Sequence, residues 1–135
     1  MRDTPMYYHI PKYSCDTWLY IGDFGKCVEW VKSTFDCNVV YRVTPDTDGL
    51  SWYVTVHKYV VGYFMWLPEF TSSVESLVTL SHECLHTAVN ILHNAQVPAV
   101  EGVACEELNY LHNELYRNFL YELNNLEVSY VCTEK

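Results

Sequence analysis

The chain has 135 residues, half of them hydrophobic, which excludes a disordered or low-complexity protein. Its net charge of −9 repels phosphate backbones, so we expect no nucleic acid as a partner. No apolar run reaches the about eighteen residues that a membrane span needs, and no secretory signal is visible, so we expect a cytoplasmic protein with no membrane partner. Residues 1–135 should form one domain, with a core at about 16–126 and a tail at each end.

The cysteines are scattered, with no Cys-x-x-Cys pair that would bind a metal or carry out redox chemistry. In a cytoplasmic protein they are expected to be small buried apolar side chains, whereas an exported chain could form three disulfides. The six are Cys15, Cys27, Cys37, Cys84, Cys105 and Cys132.

The first half of the chain predicts strands around one helix. Residues 17–21 are β-branched and aromatic and predict a strand, which Gly22 ends. Apolar positions at three- and four-residue steps from Lys26 predict an amphipathic helix that ends near Asp36. Residues 37–43 predict a second strand, and the Asp-Gly pair that follows favours a turn into a hairpin.

Two more strands and two helices follow. Residues 51–57 alternate and residues 60–67 are almost wholly apolar, so they predict the third and fourth strands. Ser72 and Glu75 form a capping box for a core helix. Its apolar face is Val74, Leu77, Val78, Leu85, Val89 and Leu92. Pro98 begins a second helix, with a stripe at Leu108, Leu111, Leu115, Phe119 and Leu126.

These elements predict an α+β domain. A mixed or antiparallel sheet of three to four strands should pack on one helix and on an antiparallel two-helix hairpin. The apolar and aromatic content exceeds what one small core needs, which favours a homodimer.

The first helix of that hairpin carries His82-Glu83-Cys84-Leu85-His86. Residues four apart share a helix face, so His82 and His86 can direct two imidazoles at one zinc ion. Glu83 lies about 100° further round and would accept a proton from water bound to that metal. The alternative is a surface helix with two histidines and a solvated glutamate, although composition gives only about 0.02 such strings by chance.

A zinc site of this kind needs a third protein ligand and an open fourth position for water. His86 and Glu106 both lie about 12 Å from the predicted bend, so Glu106 on the returning helix could complete a His-His-Glu set. On a helical wheel Glu107 lies closer to the apolar stripe, so periodicity alone prefers Glu107. His93 and His112 have no partner at ligand spacing and are expected to be solvated.

The motif with a downstream glutamate resembles zincin metallopeptidases whose third ligand is Glu, and in particular small single-domain zincin-like proteins encoded by tailed bacteriophages. Residues 106–111 match their second-helix pattern, Glu-x-(Leu or Phe)-x-Tyr-Leu, with Asn109 where a small residue is more usual. The resemblance implies Zn²⁺ as cofactor, Glu106 as third ligand, and residues 63–67 as an edge strand that receives a peptide. The apolar run at 63–67, taken alone, predicts ordinary sheet core instead.

Three functions follow as hypotheses. The first is a zinc-dependent metallohydrolase, a peptidase acting on a protein or peptide in the host cytoplasm, with Glu83 as general base. The second is a zinc-bound, non-catalytic interaction module that binds and blocks a host protein. The third is a metal-free structural domain.

Overall fold

The computed structural model describes residues 5–39, 41–97 and 103–134 and, within the last range, the side chains of residues 106–125. The strands are β1 (Met6–Ile10), β2 (Cys15–Ile21), β3 (Leu50–Val56) and β4 (Tyr59–Leu67). The helices are α1 (Phe24–Phe35), α2 (Val74–Asn94) and α3 (Val103–Glu134), with a 3-10 turn at Pro11–Tyr13. Within these ranges, none of the helices combines the length and apolar character that crossing a membrane requires.

The sheet has four strands in the order β1-β2-β4-β3. Strands β2 and β4 run parallel, while the two outer pairs are antiparallel hairpins. The predicted α+β class, with a small mixed sheet and three helices, is confirmed. The edge-strand alternative for residues 63–67 is wrong and the sheet-core prediction is confirmed, because β4 is paired on both sides and β1 and β3 form the two edges.

The two faces of the sheet bury separate clusters, because successive side chains of a strand point to opposite faces. One face packs Trp52, Phe64 and Trp66 against Cys27 and Val31 of α1. The opposite face packs on α2 and α3, and its largest cluster members include Leu19, Met65, Leu80, Leu115 and Phe119. Coverage on both faces explains the nearly continuous apolar run of β4.

The chain departs from its sequence pattern at two places, one before β2 and one after α1. Strand β1 was expected to be part of an irregular tail, yet Met6 and Ile10 are buried in the core. Short edge strands tolerate flanking prolines, and such a proline lies on each side of β1. The predicted strand at 37–43 does not form in the described residues. Cys37, Val39 and Val43 lie in a loop instead and pack against the core cluster that α1 shares with the sheet.

The β3–β4 hairpin closes through two residues with left-handed backbone. His57 has φ 51° and Lys58 has φ 73°, which is the pattern of a type I′ turn. Such turns usually carry Asn-Gly, and the His-Lys pair here is not that signal. His57, the last residue of the predicted strand 51–57, is an exposed turn residue.

Candidate metal centre

Helix α2 presents the two histidines of the motif on its outer side. Its N-cap is Ser73, whose hydroxyl accepts a hydrogen bond from the Ser76 amide, one residue later than the predicted capping box. The core side of α2 consists of Leu80, Glu83, Cys84, Thr87, Ala88, Ile91 and Leu92. Most of the predicted apolar face is therefore exposed, and we call Val74, Val78, Leu85 and Val89 the exposed stripe.

The two histidines of the motif converge. Their Nε2 atoms are 2.9 Å apart and their ring centroids 4.4 Å, with the rings nearly perpendicular. Two nitrogens bound to one tetrahedral zinc, each about 2.0–2.1 Å from it, are about 3.3 Å apart. A small opening of the two rings therefore makes His82 and His86 a fitting half of a zinc ligand set.

Glu83 points the other way, into the gap between α2 and the start of β3. Only 5% of its surface is exposed. Burial raises the pKa of its carboxyl, and this outweighs the lowering by a Ser51 hydrogen bond and by the two nearby imidazoles. A carboxylate with a raised pKa is a stronger base near neutral pH than an ordinary glutamate.

Gly49 makes room for that carboxylate. A Cβ atom at this position would lie 2.9 Å from Oε2 of Glu83, closer than real Cβ contacts come. Gly49 was expected only as part of a turn. Its position requires the absence of a side chain because the Glu83 carboxylate approaches the backbone there.

Cys84 lies inside the motif but belongs to the core. Its side chain is fully buried, and burial raises the pKa of its thiol. Among the described cysteines, Cys15, Cys27, Cys37 and Cys84 are all free. For Cys27 and Cys84, the expectation of small buried apolar side chains is confirmed.

Glu107 is held by residues from the N-terminal part of the chain. Its carboxylate accepts hydrogen bonds from Lys12 Nζ at 2.7 Å and from the Tyr13 hydroxyl at 2.6 Å. The Lys12 and Tyr13 hydrogen bonds lower the pKa of its carboxyl. Glu107 thus fastens the 3-10 turn to α3.

Glu106 lies in the first turn of α3 and is exposed. The connection at 95–102 is short, so α2 and α3 run antiparallel, and His112 lies opposite Ser81. At the same rise per residue Glu106 is level with about residue 87, close to His86 along the helix axis. Its carboxylate does not join the pair: among the described residues, no group of three or more His, Cys, Asp or Glu side chains is arranged to hold a metal ion.

His112 was expected to be solvated, and this is wrong. Its Nε2 lies 3.1 Å from both the hydroxyl and the carbonyl oxygen of Ser81, and its ring is parallel to that of Tyr116. It contributes to a groove of about 470 Å³ between α2 and α3. The groove is lined by residues that include Val78, Ser81, His82, Leu85, His112 and Tyr116. No local spacing in the sequence signalled this cross-helix contact.

The arrangement can supply two imidazoles at one point and a shielded carboxylate of raised pKa one residue away. The chain matches no protein-family model, no curated protein and no solved structure.

Proposed function

We propose that the chain is a zinc-dependent hydrolase of peptide bonds, in which His82 and His86 bind the metal and Glu83 is the general base. One observation carries this proposal: two Nε2 atoms converge to 2.9 Å on the outer side of α2, and Glu83, which lies between them in the motif, has a buried carboxyl whose pKa is raised. Histidines four residues apart share a helix face, and the same two ring nitrogens can face one metal ion. The burial of Glu83 needs a reason, because burying a carboxylate costs free energy.

The residues divide the chemistry between them. Zinc, when bound, supplies a Lewis acid that lowers the pKa of water to about 7 and polarises a carbonyl oxygen. Glu83 takes the proton of the attacking water and returns it to the leaving amine as the peptide C–N bond breaks. Ser51 positions the Glu83 carboxylate by donating a hydrogen bond to it.

Glu106 is the proposed third ligand. Two observations support this role. Glu106 on α3 lies at about the same height along the helix pair as His86 on α2. Its side chain is exposed and can change rotamer without breaking a described contact. Glu107 is less suited to this role because Lys12 and Tyr13 already use its carboxylate. Binding the metal would then require a rotamer change at Glu106 and a small opening of the histidine pair.

The test combines metal analysis with hydrolysis of a mixed peptide library. We expect the wild type to bind zinc, His82→Ala to lose it, and Glu83→Gln to keep the zinc content of the wild type. Hydrolysis by Glu83→Gln should fall by about 10²–10⁴-fold, which is what a general base contributes. Glu75→Gln is the matched control, because it removes an exposed carboxylate from the same helix and should leave both readouts unchanged.

The interaction-module hypothesis predicts a different result. If wild-type chain binds zinc but cleaves no peptide, and Glu83→Gln still binds its protein partner, catalysis is overturned and the non-catalytic module stands. If the purified chain binds no zinc, both metal-dependent functions fail.

A further inference from the structure

The exposed stripe on α2 is symmetric about a point midway between residues 81 and 82. Val78 and Leu85 lie at equal distances on either side of this midpoint, and so do Val74 and Val89. Two α2 helices crossing antiparallel at the midpoint would set Val78 of one copy against Leu85 of the other, and Val74 against Val89. A stripe that complements itself in this way suits a twofold axis.

The same surface is nearly free of charge. The chain carries a net charge of −9, so most surfaces of two copies repel each other. Within α2, all of which the structure describes, there is no lysine or arginine, the acidic side chains are Glu75 and Glu83, and Glu83 is buried. On the outer face of α2, two copies can therefore meet without repulsion between like charges.

The histidine pair is half of a tetrahedral donor set. Each chain brings two convergent Nε2 atoms beside the stripe, one from His82 next to its midpoint and one from His86 a turn further along α2. A twofold axis beside His82 would bring two more imidazoles, and four nitrogens complete the coordination of a structural zinc.

We propose that two copies dock through the exposed stripe and share one zinc between four imidazoles, His82 and His86 of each copy. The inference rests on zinc binding by this pair, as in the proposed function, and adds a regulatory state to it. A zinc with four histidine ligands has no open position, so this dimer is the inactive form of the hydrolase.

The size of the contact makes the dimer dependent on metal. From Val74 to Val89 the stripe is about 22 Å long, and with a helix about 10 Å wide it offers about 220 Å² per chain. Stable dimers bury about 800 Å² per partner. Apolar contact along the stripe alone is therefore too small, and zinc must supply the remaining affinity.

Sedimentation velocity with metal counting tests this dimer. Chain stripped with a chelator should sediment as a monomer, and titration with zinc alone should convert it to a dimer holding half a zinc per chain. A chelator should reverse the change. Val78→Glu should stay monomeric in zinc, while Tyr121→Glu, which adds the same charge at an exposed site on α3, should dimerise like wild type. Circular dichroism checks that both variants are folded.

The outcomes separate this inference from the function on which it rests. One zinc per chain in a monomer overturns the dimer and leaves the hydrolase standing. A dimer with half a zinc per chain that also forms in Glu83→Gln supports the inference, and it does so even if no peptide is cleaved. A dimer that forms without zinc, or that Val78→Glu leaves intact, overturns it. If neither monomer nor dimer binds zinc, both proposals are overturned, because both require zinc binding by His82 and His86.

Discussion

Glu83 is held in place by two residues that precede or begin β3. Gly49 leaves space for its carboxylate and Ser51 donates a hydrogen bond to it. The motif therefore depends on residues more than thirty positions upstream, which no local pattern connects to it. In the proposed mechanism these two residues set the position of the base, and position governs its efficiency.

Gly49→Ala tests this dependence. The added Cβ would lie 2.9 Å from Oε2 of Glu83, so the carboxylate must shift. A displacement of about 1 Å can cost about 10²-fold in rate, and we expect a loss of that order in kcat/KM with zinc content unchanged. Gly25→Ala is the control, since its Cβ would crowd Asp23 on the other side of the sheet and leave the rate unaltered. An unchanged rate in Gly49→Ala would argue against Glu83 as base.

At the scale of elements, periodicity predicted the buried face of α3 but not that of α2. Helix α2 is apolar on two faces, and the smaller side chains around Cys84 and Ala88 form the core while the exposed stripe faces outward. A helical wheel shows only which face has more apolar residues. The face that is buried is the one whose side chains have the size and shape to pack against the sheet. Helix α3 followed its predicted stripe, with Leu111, Leu115 and Phe119 buried.

The adjacent carboxylates of α3 allow a matched comparison. Glu106→Gln should lower zinc affinity and leave thermal stability unchanged, because the structure gives Glu106 an exposed position. Glu107→Gln should lower the Tm and leave zinc affinity unchanged, because it weakens the hydrogen bonds to Lys12 and Tyr13. Zinc titration and thermal unfolding of both variants give the answer. The reverse assignment would identify Glu107 as the ligand that the helical wheel prefers.

Glu107 also predicts a pH dependence. The Lys12 and Tyr13 hydrogen bonds hold its pKa below the ordinary 4.5, so its contribution to stability is complete above 4.5 in the ionised form. The contribution is lost as the pH falls through the lowered pKa of the folded state. We expect the Tm difference between wild type and Glu107→Gln to be present at neutral pH and to vanish in acid. A difference that grows in acid would contradict this.

At the scale of the whole molecule, most elements follow from local patterns, whereas their assembly does not. Strands β2, β3 and β4 and all three helices lie close to the stretches that predict them. Strand β1 and the strand order could not be predicted, because pairing depends on contacts between distant residues. Of the candidate site, the convergence of His82 and His86 follows from helical spacing, while the contacts of Glu107 with Lys12 span 95 positions and leave no local signal.

Phe119 packs α3 against β1, one of the two edge strands of the sheet. It is fully buried, and its ring meets Tyr8 of β1 edge-on at 6.4 Å. Phe119→Ala should lower the free energy of unfolding by about 3–5 kcal/mol, as expected for removing a buried phenylalanine. Tyr121→Ala, two residues on and mostly exposed, should change it by less than about 0.5 kcal/mol. Denaturant titration of both variants measures the difference.

The parallel pairing of β2 with β4 has a consequence for folding kinetics. The β1–β2 and β3–β4 hairpins each join neighbouring segments, so each can form early and independently. Strands β2 and β4 form the seam between the hairpins, where Thr17 pairs with Tyr63. Forming this seam is opposed by the loss of conformational entropy of the long segment between these residues. We therefore expect two preformed halves whose docking along this seam is the slow, rate-limiting event in reaching the native state.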